Sequence, residues 1–240
     1  MAFPLFFSQT GLSEKETLEL SEETARHVIQ VLRMQVGDRV ELTDGNGSMA
    51  VATITAVQKK RCMVQVDEIT RFSRPSFGLH LALAFTRNTS RNEWLLEKAT
   101  EFGVSSIIPV VAERSVKEKS KPDRWNSILR SALIQSRNVF LPVLEAPLPI
   151  PLVLQRFNGL PQKLVGHCME DYRRQPLATE MKPGLETIVL IGPEGDFTPH
   201  EVEALYSGGF CGINLGNQRL RTETAAMAVC AYFNLINYES

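Results

Sequence analysis

Two segments of the sequence carry residues whose types and spacing suit ligand binding. The first, residues 191–198, reads IGPEGDFT, and the second, residues 215–226, reads LGNQRLRTETAA. Glycines let a backbone approach a ligand closely, and Pro193 stiffens the loop between Gly192 and Gly195. Each segment follows a short apolar run and precedes a helical pattern, which predicts two loops at the carboxyl edge of a parallel sheet, where such sheets bind ligands. The pair therefore predicts one ligand pocket.

The charges of the first segment indicate the kind of ligand. Glu194 and Asp196 would repel a phosphate, and the G-K-[ST] sequence of a phosphate-binding loop is missing from this segment. A cationic or neutral ligand fits better. The G-x-x-G pair alone is a weak signal, since it is about as often a tight turn as a site; its place after a strongly apolar run favours the site.

The segments around these loops alternate between strand and helix patterns. This alternation is typical of a parallel sheet with helices on both faces, which makes the fold class α/β. Predicted strands lie at residues 79–85, 106–111, 163–166, 187–191 and 213–215, and predicted helices at residues 91–102, 123–137, 199–206 and 222–237. The last helix is unusually apolar, so it needs either the core or a second subunit to cover it.

The first part of the chain has a different pattern. Ser21 is a suitable cap for a helix over residues 21–33, after which the apolar period becomes two, with strands at residues 40–42, 51–57 and 63–69 separated by turns. Short strands joined by hairpin turns predict a small β-barrel. Residues 71–76 (RFSRPS) have the composition of a linker. We therefore predict one domain over residues 1–72 and another over residues 73–240.

The composition excludes several classes of protein. With 26 basic and 27 acidic residues the formal charge is -1, so RNA binding would rest on local patches such as the basic stretch after Val111, which could equally be a solvated surface. The four cysteines form no C-x-x-C pair, and no Ser-His-Asp or metal-ligand spacing is visible. We expect reduced thiols and no metal site. No signal peptide or membrane span is visible, so we expect a cytoplasmic protein.

In their order along the chain and in their amino-acid sequence, the two glycine-containing segments resemble motifs of the RsmE family. These are the 16S ribosomal RNA uridine-N3 methyltransferases of the knotted SPOUT superfamily. The resemblance implies that both segments are threaded through a trefoil knot and hold S-adenosyl-L-methionine. The residues it assigns to the cofactor are Ile191, Gly192, Pro193, Glu194, Gly195, Leu215, Gly216, Leu220, Thr222, Thr224 and Ala225.

The resemblance extends over nearly the whole chain. Residues 27–33 (HVIQVLR) and 44–47 (DGNG) are similar to the family's PUA-like RNA-binding barrel, and residues 93–104 are similar to its first methyltransferase helix. Two departures are specific. Asp196 replaces the last glycine of G-P-E-G-G, which should be tolerated if residue 196 faces water. Residues 134–138 (IQSRN) replace E-Q-S-G-R, which leaves open whether Gln135 or Arg137 contacts RNA.

The implied reaction is transfer of a methyl group to N3 of a uridine in the small-subunit (16S) ribosomal RNA. Arg221 could stabilise charge on the uracil carbonyl oxygens and Glu223 could accept or relay the N3 proton, although Arg221 could merely satisfy loop carbonyls. We expect Arg33, Arg114 and Lys117 to bind RNA, while His27 and His167 are predicted packing residues.

Knotted methyltransferases typically pair, which predicts a homodimer through the last helix, with Phe233 as a candidate outward residue. Two alternatives stay open. The chain could be a knotted methyltransferase with another RNA target, such as a transfer RNA ribose 2′-hydroxyl, or a ribosome assembly factor without catalysis.

Overall fold

The computed structural model describes residues 3–115 and 121–238 and divides into two compact units. Unit 1 comprises Met1–Arg74 with Leu133–Leu141, and unit 2 comprises Pro75–Ala132 with Pro142–Ser240. The predicted domain boundary at residue 72 stays a prediction. The assignment of Leu133–Leu141 to unit 1 was not predicted from the sequence.

Unit 1 contains a five-stranded sheet. Its strands are β1 (Leu5–Phe7), β2 (Thr17–Glu19), β3 (Arg39–Thr43), β4 (Ser48–Gln58) and β5 (Arg61–Arg71), in the spatial order β1-β3-β4-β5-β2. Only the β1–β3 pair is parallel. Alternate residues of β4 point inward, as the period of two in the sequence predicts, and they pack with the inward residues of β3 and β5.

The predicted helix over residues 21–33 is shorter and less regular than expected. Helix α1 covers Glu22–Arg26, and the chain continues as a π-helical turn over His27–Val31. Ser21 caps α1 as predicted, since its hydroxyl accepts a hydrogen bond from the Thr24 amide at 3.2 Å. Beyond the turn, Arg33 has a left-handed backbone with φ of 55°. The sequence gives no signal for a π-helical turn, because its apolar spacing resembles that of an ordinary helix.

The segment of unit 1 that follows Ala132 packs against the turn between β3 and β4. The Gly47 amide donates to the Val139 carbonyl at 2.9 Å, and the Leu141 amide donates to the Gly45 carbonyl at 2.8 Å. The Arg137 guanidinium pairs with the Glu41 carboxylate. Arg137 has a left-handed backbone with φ of 56°, at the position where the E-Q-S-G-R pattern has glycine.

Unit 2 is built on a parallel sheet with helices, which confirms the predicted fold class. Its spatial order is β11-β13-β10-β12-β6-β7-β8, with β9 paired to β7, and every recorded strand pair is parallel. The elements in chain order are β6 (Leu79–Leu83), α2 (Thr89–Glu101), β7 (Ser106–Val111), α3 (Pro122–Ser136), β8 (Val143–Leu144), β9 (Leu148–Pro149), α4 (Ile150–Arg156), β10 (Gln162–Gly166), β11 (Gln175–Pro176), α5 (Leu177–Glu180), β12 (Thr187–Ile191), α6 (Pro199–Ser207), β13 (Cys211–Asn214) and α7 (Thr222–Ile236).

Strand β12 lies in the middle of this sheet and is buried along its whole length. Its last residue, Ile191, is in register with Gly166 at the end of β10 and with Leu83 at the end of β6. Because the strands are parallel, the loops that follow β6, β10 and β12 leave the sheet side by side. None of the helices in the described ranges is both long and apolar enough to cross a membrane.

Candidate functional site

A cavity of about 380 Å³ opens at the carboxyl ends of β10, β12 and β13. This volume lies within the usual range of small-molecule sites, and the place is where parallel sheets bind ligands. Both sequence segments that were predicted to form one pocket contribute to it. The lining residues are Gly166, His167, Cys168, Arg174, Ile191, Gly192, Pro193, Glu194, Asp196, Ile213, Asn214, Leu215, Gly216, Gln218, Arg219, Leu220, Arg221, Thr222 and Ala225.

The structure brings together nearly all the residues that were predicted to hold a cofactor. Every one of them lines this first cavity except Gly195 and Thr224. Gly195 faces a second cavity, and Thr224 is exposed on α7. The assignment of individual residues to a cofactor stays a prediction.

Gly192 joins the two loops. Its carbonyl accepts a hydrogen bond from the Thr222 hydroxyl at 3.0 Å, and its amide donates to the Gly166 carbonyl at 3.2 Å. A Cβ atom at residue 192 would lie 3.1 Å from Asp196 Oδ1 and 3.2 Å from the Phe197 ring, so both neighbours would have to move. The absence of a side chain lets three loops meet at this point.

Asp196 fits its position for two reasons that the sequence alone does not reveal. Its backbone is left-handed, with φ of 59°, a conformation that glycine adopts freely and that aspartate tolerates better than most residues. Its side chain does not simply face water. Oδ2 accepts from the Cys168 amide and Oδ1 from the Phe197 amide, both at 2.9 Å. The aspartate therefore ties the loop after β10 to the loop after β12.

His167 forms part of the cavity wall as a packed, hydrogen-bonded residue. The Met169 amide donates to Nδ1 at 3.2 Å, which leaves the proton on Nε2, 3.2 Å from the Tyr206 hydroxyl. That hydroxyl in turn donates to the Arg173 carbonyl at 2.6 Å. Burial lowers the pKa of His167, while the Asp196 charge acts in the opposite direction. The neutral ring therefore holds the loop after β10 in one arrangement.

The two predicted catalytic residues have different surroundings. Arg221 precedes α7, is exposed and lines the first cavity. Glu223 is buried and does not line that cavity; its Oε1 lies 3.5 Å from Arg91 Nε, and its Oε2 has no hydrogen-bond partner among the described residues. Arg91 also lies 3.8 Å from the Glu194 carboxylate. The Glu223 side chain therefore contacts Arg91, which in turn lies beside Glu194 in the cavity wall.

A second cavity of about 200 Å³ lies on the other side of the loop after β12. It opens at the carboxyl ends of β6, β7 and β12, and it shares Pro193 and Glu194 with the first cavity. Half of its residues, those that follow β6, were not predicted from the sequence as site residues. The lining residues are Ala84, Phe85, Thr86, Arg87, Arg114, Pro193, Glu194 and Gly195.

Of the three predicted RNA-binding residues, two are described, one in each unit. Arg33 lies in unit 1 and is exposed, whereas Arg114 lies in unit 2. The Arg114 Nη1 atom donates to the Gly195 carbonyl at 3.3 Å and to the Phe197 carbonyl at 3.4 Å, so Arg114 belongs to the wall of the second cavity. Lys117 lies outside the described residues.

Comparison with known proteins identifies two families within the chain. The family described as "RNA methyltransferase domain" matches residues 72–234, and the family described as "RNA methyltransferase PUA domain" matches residues 20–67. Among curated relatives, the ribosomal RNA small subunit methyltransferase E of Mycobacterium bovis is 30% identical, with 94% of this chain and 89% of that protein covered. The protein of the same name from Bacillus subtilis is 29% identical over 90% of this chain and 89% of its own.

Solved structures agree over the whole chain. A protein of Porphyromonas gingivalis described as a probable rRNA-methyltransferase superposes with a TM-score of 0.90 at 34% identity, covering 98% of both chains. The ribosomal RNA small subunit methyltransferase E of Neisseria gonorrhoeae, solved bound to S-adenosyl methionine, superposes with a TM-score of 0.83 at 26% identity, again covering 98% of both chains.

Proposed function

Because this chain belongs to the RNA methyltransferase family, we propose that it methylates N3 of a uridine in the 16S RNA of the small ribosomal subunit, with S-adenosyl-L-methionine as the methyl donor. The observation that carries the proposal is the cavity at the carboxyl edge of the sheet, where the two motif loops meet through the Thr222–Gly192 hydrogen bond. Relatives named ribosomal RNA small subunit methyltransferase E match nearly the full length of the chain.

The charges in the cavity wall suit this methyl donor, which carries groups of both signs. Glu194 and Asp196 place carboxylates there for the cationic sulfonium, and Arg174, Arg219 and Arg221 place guanidinium groups there for the carboxylate of the amino-acid part. Gly192 provides a backbone surface that a Cβ atom would fill. When bound, the cofactor supplies an electrophilic methyl group on positively charged sulfur. The residues proposed to hold it are Ile191, Gly192, Pro193, Glu194, Gly195, Leu215, Gly216, Leu220, Thr222, Thr224 and Ala225.

Arg221 and Glu223 are proposed to take part in the reaction, Arg221 from the cavity wall and Glu223 from its buried place beside Arg91. Uracil N3 carries a proton near neutral pH, so a group must take up that proton or stabilise the resulting anion. The exposed guanidinium of Arg221 can reach into the cavity and stabilise charge on a carbonyl oxygen of the base. Glu223 is held beside Arg91, so any contribution that it makes to the proton transfer passes through that residue.

We propose that both domains of the protein bind the RNA. The PUA domain contributes Arg33, and the methyltransferase domain contributes Arg114 and Lys117. Because N3 lies on the Watson–Crick edge, the target nucleotide has to be unpaired or turned out of its helix before it can react. A cytoplasmic location, together with a trefoil-knotted path of the two motif loops, belongs to the same proposal.

We propose that the protein acts as a homodimer, and the structure changes which residue should test this. Phe233 is half-buried and packs edge-on against Phe77 with ring centres 6.3 Å apart, so it is less accessible to a partner than an exposed residue of α7. Leu235 is 74% exposed. Leu235→Glu should give monomers in sedimentation, whereas Leu152→Glu, at an exposed leucine on α4, should leave a dimer. A wild-type monomer with full activity would contradict the dimer.

The proposed function is tested by the product. Purified protein and S-adenosylmethionine are incubated with small subunits, and separately with free 16S RNA, from a strain that lacks the gene. Nucleoside mass spectrometry should show a gain of N3-methyluridine in one of the two substrates. Methylation at a ribose 2′-hydroxyl would replace this reaction with another RNA target, and binding of the subunit without any methyl transfer would favour an assembly factor.

A further inference from the structure

The second cavity is placed to receive the base that the first cavity's cofactor would methylate. The two cavities lie on opposite sides of the loop after β12 and share Pro193 and Glu194 as a common wall. At about 200 Å³ the second cavity is smaller than the roughly 300–1,000 Å³ of sites for drug-sized ligands, so a single nucleobase is a suitable occupant.

The wall formed by the loop after β6 is rigid. The Thr86 amide donates to Asn92 Oδ1 at 3.0 Å, the Thr86 hydroxyl donates to the same oxygen at 3.2 Å, and Asn92 Nδ2 donates to the Thr86 carbonyl at 2.8 Å. Both residues are buried, so water competes little for these bonds. Phe85 precedes this anchor and packs edge-on against Trp125. The cavity therefore has an aromatic wall residue beside a loop that is already fixed.

The charged side chains of the second cavity are two cations, Arg87 and Arg114, and one anion, Glu194. Arg87 is exposed and forms no ion pair with the described residues. Arg114 uses its Nη1 atom to bind two carbonyls, and its other N–H donors have no partner among the described residues. Glu194 adds a carboxylate whose side chain is 57% exposed and which accepts only. Two donors and one acceptor thus line the cavity.

This combination complements the Watson–Crick edge of uracil. That edge presents a carbonyl acceptor, the N3–H donor and a second carbonyl acceptor, whereas cytosine presents an amino donor next to two acceptors. We propose that the second cavity is the uracil-binding pocket, with Arg87 and Arg114 donating to the carbonyl oxygens and Glu194 accepting the N3 proton. The proposal rests on the proposed function, and it assigns the proton to Glu194 instead of Glu223.

The step balances with the groups named. The Glu194 carboxylate takes the proton from N3, the nitrogen forms a bond to the methyl carbon, and the bond from that carbon to sulfur breaks with its electron pair passing to the sulfur. The products are a neutral N3-methyluracil, a neutral thioether and a protonated Glu194, which returns its proton to water. Because the Glu194 side chain is 57% exposed, it can pass the proton to water without another residue. Glu223 lines neither cavity and pairs with Arg91, so the proton is assigned to Glu194, which lines both.

The test measures binding and chemistry separately in Glu194→Gln, Glu223→Gln and Arg87→Ala. Glu170→Gln and Arg173→Ala serve as matched controls, because both residues are exposed in unit 2 and line neither cavity. Calorimetry gives the affinity for S-adenosylmethionine. Filter binding with S-adenosylhomocysteine present gives the affinity for the RNA that wild type methylates, and for the same RNA with cytidine at the methylated position. Single-turnover kinetics give the rate of methyl transfer.

Glu194→Gln should lower the single-turnover rate by about a hundredfold or more, as expected for loss of a general base. Its affinity for the methyl donor should change by no more than about fivefold, because the side chain is exposed. It should also narrow the wild-type preference for uridine over cytidine, because an amide can donate to N3 of cytosine. Arg87→Ala should weaken RNA binding by about tenfold without changing the affinity for the methyl donor.

Wild-type rates and an unchanged uridine preference in Glu194→Gln, with a large loss in Glu223→Gln, would overturn the inference. That result would leave the proposed function intact, since wild type would still methylate the RNA. A wild-type protein that binds the donor and RNA but transfers no methyl group would instead overturn the proposed function.

Discussion

The two cavities of unit 2 flank the same strand but are built in different ways. The first is framed mainly by the two motif segments, which are joined where the Thr222 hydroxyl donates to the Gly192 carbonyl. The second is lined by four consecutive residues that follow β6, by Arg114 after β7 and by three residues of the loop after β12, and both of its arginines are exposed. The first cavity, of about 380 Å³, has the volume of a small-molecule site, whereas the second, of about 200 Å³, has room for a single base. Pro193 and Glu194 line both cavities, so the two ligands are proposed to meet there.

The largest difference between the two cavities should appear when Gly192 and Gly195 are each replaced by valine, because the two variants should lose affinity for different ligands. At residue 192 the new Cβ would be crowded by Asp196 and Phe197, so affinity for S-adenosylmethionine should fall by up to about a hundredfold. At residue 195, which faces the second cavity, the nearest atom is Arg114 Cβ, at an ordinary 3.4 Å, so cofactor affinity should fall far less than at residue 192 while RNA affinity falls. Calorimetry and circular dichroism give affinity and folding. Undiminished cofactor binding in a folded Gly192→Val variant would remove this loop from the site.

RNA affinity should depend on charges at the second cavity and in unit 1. Replacing Arg33, Arg114 and Lys117 with alanine should weaken RNA binding on the order of thirtyfold at low salt and reduce the salt slope by roughly one unit per lost phosphate contact. The affinity for S-adenosylmethionine should not change. Titrations at several salt concentrations make this measurement. A salt slope equal to that of wild type would mean that these residues lie on a surface that RNA does not touch.

Cys168 offers a chemical probe of the first cavity. It is exposed and lines that cavity, whereas Cys211 is exposed but does not line it. Saturation at ten times the Kd of S-adenosylmethionine should slow alkylation of Cys168 roughly tenfold by mass action, and Cys211 should react as before. Peptide mass spectrometry after a timed reaction distinguishes the two thiols. Equal protection of both, or of neither, would contradict a cofactor in this cavity.

Asp196 tests how the wall between the cavities is stabilised. Glycine and alanine both remove the hydrogen bonds to the Cys168 and Phe197 amides, but only alanine has to hold a left-handed backbone. Asp196→Ala should therefore be less stable than Asp196→Gly by about 1 kcal/mol, which lowers Tm by roughly 2–4 °C in a domain of this size. Calorimetric melting measures the difference. Identical melting temperatures would mean that the loop rearranges in the alanine variant.

The contrast between the cavities also explains what the sequence could predict. The first cavity was predictable because its residues lie in two long motifs next to strands with clear apolar patterns. The second was not, because the adjacency of β6 and β12 in the sheet is a tertiary property, and Arg87 resembles any exposed arginine after a strand. The left-handed backbones at Asp196 and Arg137 explain why glycine stands there in the family pattern. No sequence signal indicated that the segment after Ala132 joins unit 1.

We propose that the methyl donor in the first cavity and the base in the second meet beside Pro193 and Glu194, the residues that line both cavities. A crystal structure with S-adenosylhomocysteine and a short RNA that carries the methylated position tests it most directly. We predict the cofactor product in the first cavity and the uracil in the second, with N3 facing the Glu194 carboxylate and the carbonyl oxygens facing Arg87 and Arg114. A uracil bound elsewhere, with the second cavity empty, would contradict the account.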